Sequence, residues 1–171
     1  MRALGEKGRT VTADSVRRQS PQLFENVETI FKNLEDPLYR KTSGGFPVWR
    51  QLYHTVHSID RYFIDPNAFV EPELHKKNLD SLTDETDAFI ERDVLYSYFQ
   101  KVREKAEEYL VDLTDETLEE IVRFNGIEVT RLELILAQFR HILYHVGYLH
   151  CCLKIEAGNA PDYIGLTHPG R

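Results

Sequence analysis

The sequence predicts an all-α protein: a four-helix bundle with a long connection between helices two and three and a short extra helix before the last. Three observations point there. Four stretches carry apolar side chains at helical intervals, so each offers one oily face to a common core. Clusters of proline, glycine and asparagine separate those stretches. No pair of segments combines period-two alternation with hairpin turn chemistry strongly enough to compete.

The first helix is predicted from about Asp14 to Lys32, where Val16, Leu23, Val27, Ile30, Phe31 and Leu34 recur on one face, with Pro21 within or near the start of its regular part. Asp36-Pro37 and Ser43-Gly44-Gly45-Phe46-Pro47 break the pattern. A second helix then begins near Pro47, a residue suited to a first turn, and carries the stripe Trp49, Leu52, Val56, Ile59 and Phe63 as far as Asp65-Pro66. From Asn67 to Asp87 the apolar residues are scattered among Pro72 and several Asp, Ser and Thr, which reads as a long connection. The third helix spans about Arg92 to Leu110, with Val94, Leu95, Tyr98, Phe99, Val102, Ala106 and Leu110 facing inward. Thr114 offers an N-cap for a short helix through Val122, and after Asn125-Gly126 a final helix runs from near Thr130 to about Ala157, stopped by Gly158 and Pro161.

A chain of 171 residues with 42% hydrophobic content fills one core and is short for two. A single domain is expected over 14–166, between a flexible arm at 1–13 and a tail at 167–171. The net charge of -7 excludes an extended nucleic-acid surface, which needs a basic stripe to replace counterions along the phosphates. No apolar run approaches the ~18 residues of a membrane span. Charges at Arg2, Glu6, Lys7 and Arg9 leave no secretory apolar segment, so a cytoplasmic protein is expected. The adjacent Cys151 and Cys152 would close a strained ring, which disfavours a structural disulfide and fits a reducing compartment.

Chemistry is concentrated in Arg140-His141-Ile142-Leu143-Tyr144-His145-Val146-Gly147. His141 and His145 lie one helical turn apart and share a face, so both rings can address one divalent metal. That face lies opposite the helix's apolar stripe and also holds Leu134, Ala137, Gln138, Tyr148 and Cys152. In the second helix His54 and His57 likewise sit off the main seam, and either can complete a three-histidine set if the two helices are neighbours. His150 falls on the apolar stripe and reads as a hydrogen-bonded core imidazole, whereas His75 in the connection and His168 in the tail read as exposed. Ligand histidines need their second nitrogen oriented by an acceptor, for which Asp60 and Gln138 are candidates, with Arg140 able to pair with Asp60 across the helices.

The segment Phe46 to Thr55, containing Tyr53-His54-Thr55, together with Leu136-Ala137-Gln138-Phe139-Arg140-His141, His145 and Gly147, resembles the DinB-like superfamily of helix bundles, which includes YfiT-type metal-dependent proteins. Glu91 to Leu118 resembles that family's third helix and following turn, and the likeness extends over about Val16 to Ile164. Carried over residue by residue, it implies that His54, His141 and His145 are the metal ligands and gives His57 no part in the set. Tyr148 departs from the pattern, which has Gln there. The resemblance also implies a homodimer, and transfer of a low-molecular-weight thiol to an unknown small-molecule substrate.

Three neutral imidazoles with open positions suit Zn, Ni or Fe(II). Such an ion lowers the pKa of a bound water, giving a hydrolase, or binds a thiolate, giving a thiol S-transferase. The reading from another class is a non-catalytic helical module, whose histidine face serves as an interface or a structural or regulatory metal site.

Overall fold

The computed structural model describes residues 11–165, so ten residues of the expected arm, the last residue of the expected domain, and the tail with His168 lie outside the described residues. Four long helices form the bundle: α1 (Val11–Asn33), α3 (Val48–Ser58), α4 (Arg92–Val111) and α6 (Arg131–Glu156). Two helices of a turn or so, α2 (Asp36–Arg40) and α5 (Asp115–Glu119), lie in the connections. The long helices pack in a ring, α1 against α4 and α6, and α3 against the same two. No helix among the described residues is long and apolar enough to cross a membrane.

The stripes read from the sequence are the core. Val16, Leu23, Val27, Ile30, Phe31 and Leu34 are all buried, and Trp49, Leu52, Val56, Ile59 and Phe63 face them from the second long segment. Aromatic pairs lock the centre, with Phe24 edge-on to Phe63 at 5.4 Å and Phe31 stacked on Phe99 at 5.3 Å. The first helix starts earlier than Asp14: Val11, Thr12 and Ala13 form its first turn, and Ala13 is fully buried, with its amide donating to the Asp115 carboxylate. Pro21 therefore sits well inside α1 rather than near its start.

Two antiparallel hairpins correct the expectation that no strands would form. In the first, β1 (Thr42–Ser43) pairs with β2 (Phe46–Pro47) through Gly44 and Gly45, both at positive φ. In the second, β3 (Ile121–Phe124) pairs with β4 (Ile127–Thr130) across Asn125-Gly126, with φ of 47° and 81°. Two successive left-handed residues match the twist of a two-residue hairpin, and Asn-Gly is the sequence that adopts them at least cost. The short helix consequently ends at Glu119 and not at Val122, because β-branched Ile121, Val122 and Val129 favour the ladder. At the entrance to α6, Thr130 and Glu133 form a reciprocal capping box.

Beyond Ser58 the second long segment continues as a single π-helical turn, Ile59–Phe63. The wider turn keeps Ile59 and Phe63 in the core while Asp60 is buried against α4. The connection 64–91 then lies along α3. Arg50 holds it by donating to the carbonyls of Asn78 (2.7 Å) and Asp84 (2.5 Å), Leu79 is fully buried, and the Tyr39 hydroxyl donates to the Ile90 carbonyl.

Candidate metal centre

Packing of α3 on α6 brings His54 against His141 and His145, and all three rings turn Nε2 inward. The His54 and His141 Nε2 atoms are 3.1 Å apart, and those of His141 and His145 are 2.9 Å apart. The rings meet edge to face, with centroids between 4.5 Å (His141 to His145) and 5.1 Å (His54 to His141). His145 is buried, while His54 and His141 are half-buried.

Each outer nitrogen is held. His54 Nδ1 donates to the Asp80 carbonyl at 2.6 Å, so the proton of a neutral ring sits there and Nε2 carries a bare lone pair. His141 Nδ1 lies 2.9 Å from Ser58 Oγ, whose own proton goes to Gln138 Oε1 at 2.8 Å. The serine oxygen therefore accepts from His141 Nδ1, and a second bare Nε2 faces the first. His145 Nδ1 lies 2.9 Å from the Gln51 side-chain amide. Among the described residues the Gln51 Oε1 atom is buried without a partner as the amide stands, and a half-turn of that amide aims its carbonyl at His145 Nδ1 and frees the third Nε2.

Lone pairs crowded at this distance repel unless a proton or a cation lies between them. A shared proton is disfavoured: burial, reinforced by His54, lowers the His141 pKa to about 4, and burial, reinforced by His54 and His141, lowers that of His145 to about 3. Burial also lowers His54. The spacing fits a cation, since nitrogens about 2.1 Å from one ion lie about 3.0 Å apart at a right angle and about 3.4 Å apart at a tetrahedral angle. No carboxylate joins these three nitrogens among the described residues.

The other expected site residues fall differently. Gln138 is buried and serves His141 through Ser58 rather than directly. Asp60 is not beside the triad: it accepts from Tyr98 at 2.9 Å and Lys105 at 2.6 Å on the α4 side. Arg140 is exposed and lines a groove with Phe124, Ile127 and Leu136, so the expected pairing with Asp60 does not form. His57 and His75 are not exposed either, since their rings stack on each other and on Tyr53. His150 is half-buried, and its Nε2 has no hydrogen-bond partner among the described residues, unlike the satisfied imidazole expected. Both cysteines are free thiols, Cys151 exposed and Cys152 buried.

Sequence reasoning missed Gln51, Ser58 and the Asp80 carbonyl. The first two had a signal, because positions three before and four after His54 share its helix face. The carbonyl had none.

No curated protein and no solved structure matches this chain. A family profile does, and over residues that include all three histidines, both hairpins and the ring of long helices from Asp14 of α1 to Leu149 of α6. With that match running over 14–149, the chain belongs to the DinB superfamily.

Proposed function

We propose that the protein is a divalent-metal protein that holds its ion on His54, His141 and His145 and acts as a metal-dependent enzyme, with transfer of a low-molecular-weight thiol as the first reaction to test. The observation that carries this reading is the proton inventory. The Asp80 carbonyl and Ser58 take the outer protons of His54 and His141, a half-turned Gln51 amide takes that of His145, and the inner nitrogens are then donors converging on one point.

When bound there, a divalent ion supplies a Lewis acid that favours the anionic form of a thiol or of water. The chain's own residues prepare for it. Burial keeps the rings neutral and ready to donate, Ser58 and Gln138 fix the plane of His141, and Gln51 fixes that of His145. Neutral ligands leave the ion's charge uncompensated, which suits capture of an anion. A thiol needs no dedicated base under those conditions, because its ordinary pKa is already close to neutrality. The identity of the ion, Zn, Ni or Fe, is part of the same proposal, as are a metal-dependent hydrolase, a homodimer and a cytoplasmic setting.

A second reading, a non-catalytic helical module with a structural or regulatory metal, draws on one observation. Among the described residues no carboxylate joins the three nitrogens to serve as proton acceptor. Elemental analysis of untagged protein is the first test. Stoichiometric divalent metal that is lost in His54→Ala is the expected result, and failure to take up Zn, Ni or Fe(II) would remove the metal and enzyme readings together. If metal is present, a thiol-dependent activity screen on the loaded protein separates catalyst from module.

A further inference from the structure

We infer that His57, Glu71 and His75 form a second divalent-cation site, distinct from the three-histidine cluster and built between α3 and the connection 64–91. His57 follows His54 by three residues, but its Nε2 faces Glu71 of the connection rather than His141 and His145, and the residue is 2% exposed. Its Nε2 atom lies 2.8 Å from Glu71 Oε2, and the same oxygen lies 3.7 Å from His75 Nδ1. These three ligand atoms are all within 4.8 Å of one another. Two imidazoles and a carboxylate are a donor set that zinc accepts, with a position left open.

The surroundings divide their contacts as the outer groups of a metal site do. Glu71 gives Oε2 to the histidines while its Oε1 faces the Arg61 guanidinium at 3.7 Å. Asp80 gives Oδ2 to Arg61 at 3.9 Å and Oδ1 to His75 Nε2 at 3.9 Å. An acid beside Nε2 favours the tautomer with its proton there, which leaves His75 Nδ1 as the donor turned toward Glu71. The stack of Tyr53, His57 and His75, with centroids 5.4 Å and 5.1 Å apart along it, holds both rings in register. One group competes: the buried Tyr53 hydroxyl lies 2.7 Å from His75 Nδ1 and must turn away for a cation to take that lone pair.

A plain ion pair closing the loop explains Glu71 beside His57. The Tyr53 hydroxyl accounts for the direction of His75 Nδ1; what a cation adds is a common partner for three ligand atoms that lie within 4.8 Å of one another. Zinc binding by a variant lacking the cluster between α3 and α6 (His54→Ala with His141→Ala and His145→Ala) isolates the second site from the first. Equilibrium dialysis against Zn²⁺ should find one equivalent retained, lost on adding Glu71→Gln, and bound several-fold more tightly on adding Tyr53→Phe. Circular dichroism verifies the fold of each variant. Should the triple variant not fold, the same comparison is made in the otherwise unaltered protein, where Glu71→Gln, a half-exposed position, should remove one equivalent and leave the other. A folded triple variant without zinc, or a zinc count indifferent to Glu71→Gln, overturns the inference.

Discussion

Ser58 touches no reacting group, yet it decides which nitrogen of His141 is free. Its hydroxyl spends its proton on Gln138 and so receives that of His141 Nδ1. Ser58→Ala deletes the acceptor and lets the ring rotate or change tautomer. Metal affinity should fall about 10- to 100-fold with little loss of helicity, read by competition against a chromogenic chelator. The rings also set a pH dependence. Ordinary histidines in the unfolded chain take up protons near about pH 6.5, whereas the folded rings resist until about 4 for His141 and about 3 for His145. Between those values the unfolded state holds more protons, so this contribution to stability is complete above the unfolded pKa and is lost as pH falls toward the folded ones. Urea midpoints of chelator-treated protein should therefore decline from about pH 7 to about pH 4. A flat profile would contradict the burial that keeps these rings neutral.

The four long helices were legible as elements because each buries a stripe whose spacing survives in the sequence: Leu23, Val27 and Ile30 in α1, and Leu95, Phe99 and Val102 in α4, are core residues read directly from periodicity. The hairpins were not read as strands. Each of β3 and β4 is four residues long, and of their apolar side chains only Val122 is buried, so burial leaves almost no alternating pattern. Their signal was local, in Asn125-Gly126. Gly126→Ala places a side chain at a φ of 81° and should loosen the turn ahead of α6 by about 1 kcal/mol or more. Thr130→Ala removes the serine-like cap of the same helix at a cost of about 1 kcal/mol, with the loss visible as a lower melting temperature. Because α6 carries two of the three histidines, both variants test whether the site depends on the helix as a whole or only on its middle turns. Unchanged zinc affinity in a destabilised variant would localise it to the middle turns.

At the scale of the whole molecule, the bundle places the cluster by the neighbour relation of α3 and α6, and His141 and His145 were visible from spacing alone. The third histidine of the cluster was not fixed by spacing, since His54 and His57 both lie off the α3 core stripe and only the packed structure, or a family likeness, separates them. The missing information is the rotation of one helix against another, which many small contacts decide together. The connection 64–91 is the other global determinant. Arg50 is buried and fixes it through two main-chain carbonyls, so Arg50→Ala should release the strap and expose it to proteases. Faster cleavage within 76–84, with the helices intact by circular dichroism, is the expected outcome. Metal should oppose thermal unfolding as well, by about 2.7 kcal/mol at a free concentration a hundred times the dissociation constant. A melting temperature indifferent to zinc in the unaltered protein would count against a site formed only in the folded state.

His54 is oriented by the main-chain oxygen of Asp80, not by its side chain. An alanine scan cannot delete that oxygen: Asp80→Ala removes a carboxylate near Arg61 and His75 and leaves the bond to His54 in place. Drift at position 80 therefore carries little risk for His54, whereas a one-residue deletion or insertion nearby slides a different carbonyl, or an amide, under the ring. For His54, then, the length of the chain around position 80 matters and the identity of the residue there does not.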